Sequence, residues 1–238
     1  MPNIHTVRPV AHMRSDFPEK FGIPRQAGIV PALESLVVFE PEFRDPEALR
    51  GIEGFSHLWL IWQFSESVTE TFSPTVRPPR LGGNTRMGVF ATRSPFRPNA
   101  LGLSCVALKA VETRPGLGTV LVVGGADLMD GTPIYDIKPY VPYADCHPEA
   151  RAGFAPNPGA TLSVELPDEL AAKLPEGKRE ALRGVLANDP RPRYQRDPDR
   201  VYAMDFAGVT VRFSADGDTL TVREIEKTSP PTGPLPLE

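Results

Sequence analysis

The stretch GLSCVALKAVETRPGLGTVLVV, Gly102 to Val123, decides the fold class. Its two ends, Gly102 to Val111 and Gly118 to Val123, are rich in apolar and β-branched residues, and Pro115-Gly116 between them is a turn signal. We therefore predict two neighbouring strands joined by a turn. No helical segment long enough for a parallel crossover separates the strands predicted in this half of the chain. The fold is therefore predicted to be mainly β, with an antiparallel, barrel-like sheet and short helices.

Three upstream segments favour strands of the same sheet: Ile4 to His12, Ala32 to Phe39, and Phe55 to Phe64. The last of these, FSHLWLIWQF, is an almost continuous aromatic and aliphatic run, so we predict a central strand buried on both faces. Asp45-Pro46 is typical of a helix start and Gly51 of a helix end, which predicts one short helix there. Downstream, Ala126 to Tyr140 is predicted to be a strand with polar residues at its ends.

The composition changes after residue 150. We predict a β-barrel domain over 1–150, a linker rich in proline, glycine and alanine over 151–159, a small α+β domain over 160–228, and a disordered tail over 229–238. Within the small domain, the patterns predict a strand, one or two helices between Asp168 and Ala187, and three further strands, the last two joined by a hairpin turn.

Overall composition restricts the possible functions. The chain has 238 residues and a net charge of −4, and 40% of it is hydrophobic, which is ordinary for a globular protein. No run approaches the roughly 18 apolar residues that span a bilayer, and the polar start lacks the apolar core of a signal peptide. We therefore expect a cytoplasmic protein without a membrane partner. The two cysteines have no metal-ligand spacing, so no metal site is expected.

Arg77 to Ser104, RPPRLGGNTRMGVFATRSPFRPNALGLS, is the segment with the clearest functional pattern, and we call it the arginine segment. It holds five arginines and no acidic residue, in a protein of net negative charge. Uncompensated guanidiniums repel one another unless an anion lies near, so the pattern predicts a phosphate, carboxylate or nucleic-acid ligand. The arginines would lie on loops at either side of a short predicted strand, Met87 to Thr92. A solvated basic loop is the alternative.

Several sequence motifs together resemble one enzyme family. These are the arginine segment with its string MGVFATRSPFRPN, Phe55-Ser56-His57-Leu58-Trp59, Asp130-Gly131-Thr132-Pro133 with Asp136-Ile137-Lys138-Pro139-Tyr140, and Asp189-Pro190-Arg191-Pro192 with Tyr194 and Tyr202. In this combination the chain resembles the tRNA N6-methyltransferases, which methylate N6 of threonylcarbamoyladenosine at position 37 of tRNA. The resemblance extends over nearly the whole chain to about Glu226. It also fits the absence of GxGxxG, GxxxxGK[ST] and HExxH motifs.

The resemblance implies a cofactor and an assembly. The family uses S-adenosylmethionine on a β-barrel that works as a homodimer, with a smaller C-terminal domain. Carried over by position, the implied cofactor-binding residues are Pro24, Arg25, Gln26, Ser65, Glu66, Arg93, Leu103, Asp127, Leu128, Met129 and Asp130. The family often has His-Gln where this chain has Ser65-Glu66, so a contact there would have to use the backbone.

The resemblance and the residue chemistry together suggest roles in methyl transfer. The acceptor nitrogen must lose a proton, and Asp130 or Asp136 is the expected acceptor of that proton. One of Arg86, Arg93 or Arg97 is expected to hold the threonyl carboxylate of the substrate.

Other residues are expected to contact the tRNA. Lys138 and Tyr140 are further expected contacts, and Phe96, Phe90 and Tyr140 are available to stack on bases of the anticodon loop, although core packing is the expected fate of Phe90. Binding through the arginines is expected to weaken as salt rises.

Two other function classes stay open at this point. The chain could be a non-catalytic module that binds an anion or a nucleotide, or a methyltransferase that acts on another small acceptor. Retention of cofactor binding argues against the first, and activity on tRNA without the threonylcarbamoyl group argues against the substrate assignment.

Overall fold

A closed six-stranded antiparallel barrel forms the first half of the computed structural model, which describes residues 5–192 and 197–228. The barrel strands are β1 (Ala11–Arg14), β2 (Glu34–Phe39), β3 (His57–Gln63), β6 (Leu101–Arg114), β7 (Gly118–Gly124) and β8 (Pro133–Pro139). Their order around the barrel is β1-β2-β7-β6-β3-β8, and β8 pairs back with β1. The predicted hairpin at Pro115-Gly116 joins β6 to β7, so the predicted fold class is confirmed.

The connections of the barrel carry short elements. β4 (Thr75–Val76) and β5 (Met87–Gly88) form a separate two-stranded ribbon, and α1 (Pro142–Asp145) follows the last barrel strand. The connections also contain 3₁₀ helices at Pro41–Phe43, Pro46–Leu49, Ile52–Gly54, Ser65–Ser67, Pro79–Leu81 and Val89–Ala91. The helix predicted after Asp45 is the second of these, and the Asp45 side chain caps it by accepting from the Glu47 backbone N–H at 3.0 Å.

The strands differ from the sequence prediction in four places. The strand predicted over Ala126 to Tyr140 is shorter, because β8 covers only Pro133–Pro139. The first strand begins at Ala11, and Ile4 lies outside the described residues. Met87 to Thr92 is split between β5 and the 3₁₀ helix Val89–Ala91. β3 is buried on one face only, because Leu58, Leu60 and Trp62 point into the barrel while the residues between them are partly exposed. A closed barrel has one interior, and an aromatic-rich sequence does not reveal that the second face is open.

The interior of the barrel contains one tight contact that requires glycine. A Cβ atom built on Gly102 of β6 would lie 2.3 Å from the Trp62 ring, which is held on the paired strand β3. The ring cannot move without disturbing its neighbours in the buried core.

We expect Gly102→Ala to destabilise the fold by about 1–3 kcal/mol, because the added methyl group overpacks the core. Urea unfolding measures this difference. The matched control is Gly54→Ala, where a Cβ meets no atom within 4 Å. Equal stability of the two variants would contradict the expectation.

The second half of the described chain is a four-stranded sheet with two helices. Its strands are β9 (Ser163–Glu165), β10 (Tyr202–Phe206), β11 (Val209–Asp216) and β12 (Thr219–Lys227), in the order β10-β11-β12-β9. The helices are α2 (Asp168–Ala171) and α3 (Arg179–Ala187), and α3 packs its apolar side against the sheet. The predicted tail 229–238 and Tyr194 lie outside the described residues.

The connection between β1 and β2 joins the two halves. Phe17, Val30 and Leu33 belong to the buried core of the C-terminal sheet, and the Phe17 ring meets the Phe206 ring edge to face at 5.5 Å. Lys178 forms a salt bridge of 2.8 Å with Asp16. The connection 15–33 is therefore anchored by the C-terminal sheet, and this anchoring positions Pro24 to Gly28 beside the barrel.

Candidate active site

The arginine segment forms one side of a cleft of about 940 Å³. Arg77, Arg86, Arg93 and Arg97 all line this cleft, and Glu70 is the one acidic residue among the described residues that line it. We call this cavity the arginine cleft. The sequence predicted an anionic ligand for the five arginines of this segment. The structure brings four of their guanidiniums to one cavity.

Arg86 and Arg97 in the cleft donate hydrogen bonds to neutral partners. Arg86 donates to the Thr75 hydroxyl at 3.0 Å, and Arg97 donates to the Thr92 carbonyl at 3.1 Å. Within residues 5–192 and 197–228, none of the four arginines forms a salt bridge. Their charge is therefore available to a ligand.

Arg93 connects the arginine cleft to a second group of polar residues at the end of the barrel. Its guanidinium donates a hydrogen bond to the Gln26 side-chain oxygen, and its charge also acts on the Asp127 carboxyl. Gln26, Arg93 and Asp127 come from three separate parts of the chain, and all three belong to the predicted cofactor-binding set. We call this group the barrel-end site.

A chain of hydrogen bonds fixes the Asp127 carboxyl from inside the barrel. The Trp62 indole N–H donates to the Ser104 hydroxyl at 2.9 Å, and that hydroxyl donates to Asp127 Oδ1 at 2.6 Å. Burial raises the pKa of the Asp127 carboxyl, while hydrogen bonds from Ser104 and from the Ala27 backbone N–H and the charge of Arg93 oppose the rise. The carboxyl is therefore held in one orientation in a partly desolvated site.

The raised pKa of Asp127 predicts a pH-dependent cost to stability. When folding raises the pKa of a carboxyl, the ionised form of that carboxyl stabilises the fold least. The free energy of unfolding therefore falls as the pH rises from the usual aspartate pKa through the raised one. We expect the free energy of unfolding of Asp127→Asn, relative to wild type, to increase over that pH range. Urea unfolding of both proteins at several pH values tests this. A difference that does not vary with pH would contradict it.

A close backbone crossing holds Pro24 to Gly28 against the end of β7. The Gly28 N–H donates to the Gly125 carbonyl at 2.8 Å, and a Cβ on Gly125 would lie 3.1 Å from the Gly28 Cα. Gly125 also has φ +72°, which disfavours any other residue there. On the other side, Arg25 donates to the Arg191 carbonyl at 3.3 Å. The Asp189-Pro190-Arg191-Pro192 motif therefore supports the loop that carries Gln26.

The remaining predicted cofactor residues lie around this loop. Pro24 and Leu128 are buried, and Met129 is partly buried. Ser65 and Glu66 lie in the 3₁₀ helix after β3, where the Glu66 carbonyl accepts from Lys20 Nζ at 2.7 Å. This bond uses the backbone of Glu66, so it does not depend on the side chain at this position.

Four predicted residues lie apart from the barrel-end site. Leu103, Asp136 and Lys138 are on the outer face of the barrel, and Tyr140 packs there against the Trp59 ring at 5.9 Å. Asp136 pairs with Lys138 at 3.0 Å. Among the described residues, none of the four hydrogen bonds to Gln26, Arg93 or Asp127.

Asp130 has structural partners of its own. Its carboxylate accepts from the Ser15 backbone N–H at 3.0 Å and from Arg14 at 3.5 Å. These contacts fix the connection that follows β1, and they leave the role of Asp130 as proton acceptor a prediction.

Sequence reasoning missed two parts of the site. The sequence predicted no role for Ser104, and its contacts with Trp62 and Asp127 span 42 and 23 residues, which no local pattern reveals. Phe90 was expected in the core, but it is 74% exposed and stacks on Phe72 with ring centroids 6.4 Å apart. Phe72 and Phe154 also line the arginine cleft, and no sequence pattern singled them out.

The described residues contain no group of acidic, histidine and cysteine side chains arranged to hold a metal ion. No helix within the same residues is long and apolar enough to cross a membrane.

Comparison with known proteins identifies a family for both halves. The family model of the tRNA-methyltransferase O N-terminal domain matches residues 12–146, and the model of the TrmO C-terminal domain matches residues 159–228. A tRNA (adenine(37)-N6)-methyltransferase of Escherichia coli is 41% identical over 210 residues, which cover 84% of this chain and 89% of the relative. A putative S-adenosylmethionine-dependent methyltransferase of Pseudomonas aeruginosa is 43% identical over 208 residues, covering 84% of this chain and 88% of the relative.

Solved structures agree with this comparison. A crystal structure of TrmO from Pseudomonas aeruginosa superposes with a TM-score of 0.77 at 35% identity, and the match covers 94% of this chain and 99% of the other.

Proposed function

Because this chain belongs to the tRNA-methyltransferase O family, we propose that it transfers a methyl group from S-adenosylmethionine to N6 of the adenosine at position 37 of tRNA. The observation that carries this proposal is the position of Arg93, which lines the arginine cleft and also contacts Gln26 in the barrel-end site. One guanidinium therefore borders both a site suited to a cofactor and a site suited to an anionic substrate.

The donor and acceptor groups of the barrel-end site fit S-adenosylmethionine. Asp127 offers an oriented carboxylate for hydroxyl or ammonium groups, Gln26 offers an amide, and Arg93 suits a carboxylate. The proposed cofactor-binding set is completed by the backbone of Ser65-Glu66, by the segment from Asp127 to Asp130, and by Pro24 and Arg25. When bound, S-adenosylmethionine supplies an electrophilic methyl group on a sulfonium.

The protein's own contribution to such a reaction is alignment and proton removal. The acceptor nitrogen loses a proton on methylation, and Asp130 or Asp136 is the proposed acceptor of that proton. Asp130 lies in the same segment as Asp127, only three residues away, and its contacts with the Ser15 backbone N–H and with Arg14 orient its carboxylate. The geometry therefore favours Asp130 over Asp136, which lies on the outer face of the barrel.

The finer substrate we propose is adenosine that already carries the threonylcarbamoyl group. That group ends in a carboxylate, and an arginine forms paired hydrogen bonds with a carboxylate. Arg86, Arg93 and Arg97 line the cleft, and none of them forms a salt bridge with another described residue. The substrate tRNA presents position 37 in its single-stranded anticodon loop, with Lys138 and Tyr140 as further proposed contacts. Because the proposed substrate is tRNA, we also propose that the protein is located in the cytoplasm.

Transfer of labelled methyl from S-adenosylmethionine to tRNA tests this proposal directly. Threonylcarbamoylated tRNA and an unmodified transcript are compared side by side, and label is expected at N6 of position 37 in the modified tRNA. Equal labelling of both would contradict the substrate assignment. Cofactor binding without label on either would favour another small acceptor, and loss of cofactor binding as well would favour a non-catalytic binding module.

We also propose that the protein works as a homodimer through the outer face of the barrel. Leu101 and Leu103 point outward from β6 and are 40% and 58% exposed, beside the partly buried Ile61 on β3. An exposed apolar strand face of this kind favours burial against a second copy.

Leu103→Glu is expected to convert the dimer to a monomer, because it places a charge in the apolar contact. Light scattering after size-exclusion chromatography measures the mass in solution. Val201→Glu, at a valine that is 55% exposed in the C-terminal half, is the matched control and is expected to leave the mass unchanged. A monomeric wild type, or a dimeric Leu103→Glu variant, would contradict the proposal.

A further inference from the structure

The arginine cleft has aromatic as well as cationic walls. Phe72, Phe96 and Phe154 line it, and Phe72 and Phe96 are 56% and 55% exposed. Phe72 is backed by Phe90, with ring centroids 6.4 Å apart and planes inclined by 27°. Exposed phenyl rings beside guanidiniums are costly in water unless a ligand covers them.

The segment 151–159, which lies between the two halves along the chain, contributes one side chain to this cleft. Phe154 comes from that segment, and Arg80 of the arginine segment donates hydrogen bonds to the Asn157 and Pro158 carbonyls. Phe154 is partly buried. The connection 151–159, predicted from its composition as a linker, is therefore attached to the arginine segment and presents an aromatic side chain to the cleft.

Aromatic rings combined with arginines are the chemistry that binds single-stranded nucleic acid. The guanidiniums pair with phosphates, while the rings stack on bases that are not paired in a helix. An acidic peptide would use the arginines but would leave the three rings uncovered. Duplex RNA would meet the arginines but keeps its bases stacked inside the helix.

We propose that the arginine cleft binds nucleotides of the single-stranded anticodon loop that flank the target base, with Phe72 and Phe154 stacking on their bases. This proposal rests on the proposed function, and it assigns the inter-domain connection a direct part in RNA binding. Arg77 and Arg86 pair with the phosphates of these nucleotides. The connection 151–159 then contributes to substrate binding through Phe154, and Arg80 holds it in place.

The test is the affinity of the full-length protein for a fluorescein-labelled anticodon stem-loop RNA, measured by fluorescence anisotropy. Phe72→Ala and Phe154→Ala are each expected to weaken binding about 10-fold, within the range for loss of one base stack. Phe154→Leu keeps apolar packing but cannot stack, so it is expected to resemble Phe154→Ala, while Phe154→Tyr restores binding. Tyr143→Ala removes an aromatic that is 93% exposed outside the cleft and serves as the control.

The outcomes separate this inference from the proposed function. If wild type binds the RNA and Phe72→Ala and Phe154→Ala bind it with the same affinity, the stacking role alone is overturned. Wild-type affinity in Phe154→Leu would overturn it too, because packing rather than stacking would then explain Phe154. Failure of wild type to bind the RNA, with S-adenosylmethionine binding intact, would overturn the tRNA substrate and the inference with it.

Discussion

Asp127→Asn is expected to bind S-adenosylmethionine about 10- to 100-fold more weakly than wild type, because a hydrogen bond to a charged group contributes about 1.5–3 kcal/mol. The Asp127 carboxylate is oriented by the Ser104 hydroxyl at 2.6 Å, so its free lone pairs face a fixed direction. Asparagine has nearly the same shape but no charge, and one of its two terminal atoms is a donor. Isothermal titration calorimetry with the full-length protein measures the loss.

The control for this variant is Asp205→Asn in the C-terminal sheet. Asp205 accepts a hydrogen bond from the Thr210 hydroxyl at 2.6 Å, which matches the contact between Asp127 and Ser104. Wild-type cofactor affinity is expected for Asp205→Asn. Urea unfolding of Asp127→Asn at the pH of the titration shows whether the variant is folded when its binding is measured. Unchanged cofactor affinity in Asp127→Asn would remove Asp127 from the cofactor site.

The strands of the barrel were predictable because their causes are local. The apolar runs, the turn at Pro115-Gly116 and the cap at Asp45 are each encoded within a few residues. Closure of the barrel was not encoded in this way, because the pairing of β8 with β1 joins Ile134 to Ala11. The same long-range closure leaves one face of β3 open, and that is why the prediction of a doubly buried strand was wrong.

The candidate site depends still more on distant contacts. The arginine segment was recognised from its charge alone, since five arginines without an acid need an anion. The position of Gln26 beside Arg93, in contrast, depends on the connection 15–33, whose Phe17 is buried against the C-terminal sheet. A sequence pattern shows which chemistry a side chain can perform. Which residues the connection 15–33 contacts is determined by its packing against the core of the second half.

The selectivity for the modified base should reside in a single arginine. Replacing the arginine that holds the threonyl carboxylate by alanine is expected to lower kcat/KM on threonylcarbamoylated tRNA about 10- to 100-fold, the cost of a charge-assisted pair. The same change should leave kcat/KM on unmodified tRNA, however small, almost unaltered. An arginine that contacts only phosphates should instead lower both values by the same factor. The ratio of the two values therefore separates the two roles.

Arg86 and Arg97 are the variants to compare first, because Arg93 also contacts Gln26 and its loss would weaken cofactor binding as well. Arg97 is partly buried and fixed by the Thr92 carbonyl, whereas Arg86 is exposed and held by one hydroxyl. A fixed guanidinium loses less conformational entropy when it binds a carboxylate, so Arg97 is the expected clamp. Arg114→Ala, at an arginine paired with Glu112 outside the cleft, is the control. If Arg86→Ala and Arg97→Ala both keep the wild-type ratio, the carboxylate is held elsewhere and neither arginine selects the modified base.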